Sequence, residues 1–267
     1  MSQLATMVTF LDLPVELRLQ IAAYVLEQPR HAGLVWKGTT ADVYKGFVPD
    51  TAYHSAPNLN LLLVCHSFRN DCSRLAYERT TFFPGSNVNE HICRCPPARL
   101  QDLRKLIVPF EPFEALIRQS PSNFFANDSL RLERLTVIHF DGWNAKTHTK
   151  VMVDFMRRVE NIRSIIITLR DDNVVHKHRK QCCALVGAIL KEDHFQRYDA
   201  QDAPKLEKTW WTWSYNHHLQ TFNFTAQSAK TVMEEEAYMN DVAPLIQSLM
   251  DDLQSMDLPP AVLVEDG

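Results

Sequence analysis

The chain has 267 residues, enough for one large domain or two small ones, with 45% hydrophobic and 22% charged residues and a formal net charge of −4. That balance suits a folded protein rather than a disordered one, and 7 glycines against 14 prolines argue against activities built on Gly-rich loops. No run of about 18 apolar residues is present, so no membrane-crossing helix is expected, and no basic and apolar leader marks secretion.

The first element is "FLDLPVELRLQIAAYVLE", Phe10 to Glu27. Pro14 suits the first helical position, where its missing N–H would be unpaired anyway. Glu16 then falls in the first turn, at the positive end of the helix dipole. Leu13, Leu17, Ile21 and Val25 recur every four residues as one apolar stripe, with Tyr24 alongside. Such a stripe either faces a partner or seeds a core; packed on a second apolar helix, it would bury Leu17 and Ile21. Between His31 and Asp50, Val35, Trp36, Val43, Tyr44, Phe47 and Val48 have strand character around a Gly38-Thr39-Thr40 turn, which predicts a hairpin. Residues 49–58 read as a loop. A second helix follows, with Leu61, Cys65, Phe68, Cys72, Leu75 and Ala76 on one face and His66, Arg69, Asn70, Ser73 and Arg74 on the other. A short strand at 80–83 stops at Pro84-Gly85.

The rhythm then changes. "LRKLIVPF" begins at Leu103, "LERLTVIHF" at Leu132 and "IRSIIITL" at Ile162, spacings of 29 and 30 residues. Helical segments at 112–119 and 149–159 lie between them. "LQTFNF" starts 57 residues after Ile162, close to two further periods. Stacked strand–helix units, as in leucine-rich repeats, account for the spacing, although the asparagine ladder of true leucine-rich repeats is missing; a mixed sheet with helical crossovers accounts for it nearly as well. A helix is expected at 178–190, and Lys208 to Phe224 reads as a hairpin. The last helix starts near Ser228 and is expected to break or kink at Pro244.

Charge is uneven. Between Gln227 and Gly267, Lys230 stands against nine carboxylates, a balance of −8 that leaves +4 on residues 1–226. The acidic end suits self-association or solubility, and the body is too weakly basic to argue for nucleic acid. The six cysteines read as reduced intracellular thiols, cytoplasmic or nuclear: Cys182 and Cys183 are adjacent, and Cys65 and Cys72 sit inside apolar patterns.

Chemistry-bearing residues are sparse. His91, Cys93 and Cys95 are soft ligands, but Cys-x-Cys is unusual for structural zinc and no second pair follows, so the protein is expected to fold without metal. The basic run Val174 to Cys183 reads as a phosphate-contact patch, a nuclear address or the solvated start of a helix. No acid–base or nucleophile set, and no cofactor, is indicated. Trp211, Trp213 and Tyr215 alternate in the hairpin. Trp210, Trp211 and Trp213 are candidates for stacking a ligand or substrate, with the Trp210 side expected to be exposed.

"LPVELRLQIAAYVL" followed by "LLLVCHSFRNDCSRLAYERTTFF" resembles the F-box-like domains of filamentous-fungal proteins, over roughly residues 10–83, about a third of the chain. The resemblance implies a non-enzymatic interaction protein that docks a Skp-type adaptor of a cullin ubiquitin ligase and presents a target through its C-terminal domain, with leucine-rich repeats a common choice there. It implies partner contacts at Leu13, Pro14, Leu17 and Ile21. The departure is the longer chain between the two helices, which holds the predicted hairpin and would reshape or block adaptor docking. A stand-alone scaffold domain is the alternative. The expected fold is α+β: N-terminal helices with a hairpin insertion, residues 1–85, packed on a mixed sheet with helical crossovers, irregularly leucine-rich-repeat-like, residues 86–267, either as two domains or as one body.

Overall fold

The computed structural model describes residues 9–37, 46–84, 95–118, 124–138, 145–168, 183–188, 191, 208–216, 219, 221–228 and 235–257. The chain opens with a 3-10 turn, Phe10–Asp12, closed by a capping box in which the Thr9 backbone N–H and hydroxyl donate to Asp12 Oδ2 at 2.7 and 2.8 Å. Helix α1 runs Val15–Val25 with Pro14 as its N-cap, so it begins one residue later than expected from Pro14 at the first helical position. Strands β1, Leu34–Lys37, and β2, Gly46–Pro49, pair antiparallel, as the expected hairpin requires; its turn lies outside the described residues. Short α2, Ala56–Asn60, and a 3-10 turn, Leu61–Leu63, lead to α3, His66–Arg79. The extended Cys65 separates these turns from α3. Strand β3, Thr81–Phe82, follows directly.

Helix α4, Pro97–Leu100, then introduces the strand–helix series: β4 Lys105–Pro109, α5 Phe110–Arg118, β5 Arg134–Ile138, α6 Ala145–Arg158 and β6 Ser164–Thr168. Residues 183–188 are helical, inside the helix expected at 178–190. Strands β7, Thr209–Asn216, and β8, Thr221–Ser228, form the second hairpin, and α7, Glu235–Asp257, is the last described element.

Six of these strands share one sheet in the order β3-β4-β5-β6-β8-β7, so the fold is α+β. The runs spaced by 29 and 30 residues are β4, β5 and β6, parallel neighbours in one register. The run at Leu219 is not a further repeat. Its strand β8 lies antiparallel to β6 and pairs with β7 as a hairpin, whereas β4, β5 and β6 run parallel to one another. Helix α7 is also unbroken: it passes through Pro244, an exposed position.

Alternation along the strands divides the sheet into two faces. Leu106 and Val108, Leu135 and Val137, Ile165 and Ile167, and Phe222 and Phe224 all point to one side. There they join Phe110, Phe113 and Ile117 of α5, Met152, Phe155 and Met156 of α6, and Tyr238 and Val242 of α7 in the main core. Phe113, Phe125 and Phe155 meet edge to face, with centroids 5.2–5.7 Å apart. The opposite face carries Lys105, Ile107, Arg134, Thr136, Ile166 and Thr168, and it is met by the N-terminal part of the chain.

That meeting depends on a glycine. Gly33 is buried and has φ +86°, and a Cβ there would stand 2.9 Å from Ile107 Cδ1 and 3.4 Å from Tyr53. Only glycine takes this backbone angle without cost and also leaves that space open. Side chains tie the same contact to the sheet edge. The Thr81 N–H donates to Gln28 Oε1 at 2.8 Å, and the Tyr53 hydroxyl donates to the Thr81 carbonyl at 2.6 Å. The short edge strand is thereby partly paired by side chains.

Gly33→Ala is therefore expected to destabilise the protein by at least about 1–2 kcal/mol, from the left-handed backbone alone, with the clash against Ile107 in addition. Urea unfolding of the two proteins measures the difference.

Candidate functional site

Helix α1 has apolar residues on two opposite sides, and at 100° per residue the sides are separable. One side carries Arg18, Leu19, Ala22 and, at the C-cap, Leu26. This is the side that packs on α3: Ala22 and Leu26 are buried together with Cys72 and Ala76, and Leu19, Phe68 and Leu75 flank them. Ala22, Cys72 and Ala76 are small, and Leu26 is the large side chain that fills the space among them. Arg18 and Asp71 lock the contact with a partly buried ion pair at 2.7 Å. Phe10 stacks on Phe68, rings 5.0 Å apart and 7° from parallel.

The other side carries Leu13, Leu17, Ile21 and Tyr24. Leu17 and Ile21 are 45% and 41% exposed, Tyr24 is 81% exposed and Val25, on the flank, 69% exposed. Pro14 is exposed and Leu13 half-buried. The expectation that Leu17 and Ile21 enter a core against the second helix is overturned. The four-residue stripe is real, but α3 packs on the opposite side, around Ala22 and Leu26, with the Arg18–Asp71 ion pair beside them. Leu63 and Val64, in the turn before α3, are also exposed, at 74% and 65%. Val15, Tyr24, Val25, Leu63 and Val64 were not singled out as surface residues in the sequence. The signal was available in α1, whose apolar residues occupy both sides; a helix that buries one face keeps polar residues on the other. The chain between α1 and α3 does not hold these helices apart, since they pack directly, and its described part turns toward the sheet through Gly33 and Tyr53.

The tryptophan hairpin is placed differently from its sequence reading. Trp210 is 3% exposed and Trp211 1%, so the expected exposed side at Trp210 is buried, and neither ring offers a face for stacking. The Trp211 indole N–H donates to the Met156 carbonyl at 2.7 Å, and the Thr209 hydroxyl to the Val159 carbonyl, which fastens β7 to the end of α6. Trp213 is half-buried and packs against the main core.

The thiols are poor nucleophile candidates. Among the described residues Cys65, Cys72, Cys95 and Cys183 form no disulfide. Burial pushes the Cys72 and Cys95 thiols up, outweighing the nearby Arg18 and Arg99 respectively. His91, Cys93 and the basic run from Val174 lie outside the described residues, apart from Cys95 and Cys183 at their ends. Among the described residues no group of three or more His, Cys, Asp or Glu side chains could hold a metal ion, and no helix is long and apolar enough to cross a membrane. No protein-family model matches the chain, and neither the curated proteins nor the solved structures contain a match.

The two sides of α1 separate in a mutational test. Leu26→Ala should cost about 2–5 kcal/mol, because it empties a buried site, whereas Leu17→Ala should change stability by about 1 kcal/mol or less. Thermal melts of the two variants beside the parent chain check the order.

Proposed function

We propose that the protein is a non-enzymatic interaction module whose first helix docks a Skp-type adaptor of a cullin ubiquitin ligase, with the sheet domain presenting a target. The supporting observation is the exposed apolar side of α1. Leu17, Ile21, Tyr24 and Val25 stand in water along one helix, at the cost of apolar hydration, and such patches mark protein–protein contacts. Two of them, Leu17 and Ile21, are positions that the F-box-like resemblance assigns to the partner; the other two it assigns, Leu13 and Pro14, are half-buried and exposed respectively, at the start of the same helix. The inserted hairpin region, which would have been the obstacle, is drawn to the far face of the sheet rather than over α1 along its described length.

A helix side of this kind binds by inserting a few apolar anchors into a groove, and a few anchors carry most of the energy. Leu17 and Ile21, one turn apart, are the natural anchors, and Tyr24 adds a large amphipathic surface beside them. Pro14 sets the start of the helix and fills little core volume.

Titration of a purified Skp-type adaptor onto the full chain tests the reading. Saturable binding is expected. Ile21→Asp should weaken it by about 2 kcal/mol or more, roughly thirtyfold, with little change in melting temperature. Pro14→Ala should weaken the complex while costing about 1 kcal/mol or less of stability. Parent protein that ignores the adaptor removes the ligase reading and leaves the stand-alone scaffold, in which Pro14→Ala and Ile21→Asp change little.

A further inference from the structure

Where α3, β3, α4 and β4 meet, the fold leaves a partly enclosed cavity of about 330 Å³. Leu100, Leu103 and Leu106 line it, all buried and continuous with the main core. Beside them stand three planar groups in succession. The Arg99 guanidinium lies over the Tyr77 ring, 4.9 Å from its centroid, and Tyr77 stacks on Phe82 with centroids 5.7 Å apart and 22° between the planes. The space equals about ten waters by their share of liquid volume. Leucine and aromatic carbons make up most of its lining, so water inside is short of polar partners. An apolar ligand gains affinity by displacing such water, and both the size and the lining are those of a small-molecule site.

Arg99 decides which ligand. Among the described residues it is the only cation lining the cavity. Its Nη1 donates to Ser73 Oγ at 2.6 Å, and Asp102 Oδ2 stands 3.8 Å from the same nitrogen, outside hydrogen-bonding range. Both contacts fall on Nη1. The other edge of the guanidinium, Nε and Nη2, makes no hydrogen bond to a described residue. That edge carries two parallel N–H groups, and it is an edge that can hold both oxygens of a carboxylate at once. The Tyr77 ring and the Ser73 hydroxyl already fix the guanidinium plane, so little side-chain freedom is lost when a ligand arrives.

We propose that this cavity binds a small apolar carboxylic acid as its carboxylate. The hydrocarbon part lies against Leu100, Leu103, Leu106 and Phe82, and the carboxylate pairs with Nε and Nη2 of Arg99. The volume suits a chain or single ring of about ten non-hydrogen atoms, and a long-chain lipid is too large to fit within it. Asp102 opposes the bound charge, but from the far side of the guanidinium, whereas the paired hydrogen bonds are direct and charge-assisted. The bound acid would join Tyr77 of α3, the helix packed on α1, to the leucines at the start of the strand–helix series. The proposal does not depend on adaptor docking, which uses the exposed side of α1.

Isothermal titration of the full chain with sodium octanoate, and with octanamide as its uncharged counterpart, tests the site. Octanoate should bind saturably at one site, and octanamide about tenfold more weakly or worse, because it cannot form the charge-assisted pair. Arg99→Gln should weaken octanoate by about tenfold or more and remove its preference over the amide. Arg99→Lys, which keeps the charge without the fork, should fall between. Cys95→Phe, which brings a ring into the cavity from a partly buried lining position, should abolish binding of both ligands. The comparison of the two ligands needs only the parent chain, so it decides even where a variant fails to fold. Absence of saturable octanoate binding, equal affinity for the amide, or affinity unchanged in both Arg99→Gln and Cys95→Phe overturns the proposal. Binding lost in Ile21→Asp but kept in Arg99→Gln places the acid on the exposed side of α1 and overturns it as well.

Discussion

The close approach of Gly33 to Ile107 is the contact on which the arrangement of the N-terminal part depends. Among the described residues, the helices of the main core, α5, α6 and α7, pack on one face of the sheet. Its other face exposes Ile107, Ile166 and buried threonines that need cover, and the chain provides it with the loop after α1 rather than with a helix. A loop can lie flat on a sheet only where its backbone comes within side-chain distance, which requires a residue without a Cβ and free to adopt a positive φ. Once Gly33 is seated, Gln28 and Tyr53 reach the edge strand, β1 and β2 are drawn to the same side, and α1 is carried away from the sheet.

The consequence for α1 is an unusual division of its residues. The helix is anchored through Ala22, Leu26 and the Arg18–Asp71 pair, while its larger aliphatic and aromatic residues face outward. Small residues at a helix contact permit close approach and leave little apolar area buried, so the stability of this pair rests on fit more than on area. An interaction surface built this way can change without disturbing the core behind it. Leu17 and Ile21 are not among the residues packed in the cluster around Ala22, so their substitution is expected to leave the α1–α3 contact intact. The same separation does not hold for the tryptophan hairpin, where Trp211 is both core and hydrogen-bond donor.

Much of the fold was readable from local pattern. The strand key repeated at Leu103, Leu132 and Ile162, the aromatic alternation from Trp211 to Tyr215 and the apolar face of α3 each specify an element through periodicity, and the sheet assembled from them is mixed as expected. Periodicity also determined that α1 is a helix and that Leu13, Leu17 and Ile21 share one side of it. What it did not determine is which side faces inward. That choice was made by the tertiary structure, because it depends on the partners α3 presents, Cys72, Ala76 and Asp71 among them, and not on the hydrophobicity of α1 itself. The direction of β8 and the burial of Trp210 have the same origin: each arises between residues distant in sequence, where no local pattern records the partner.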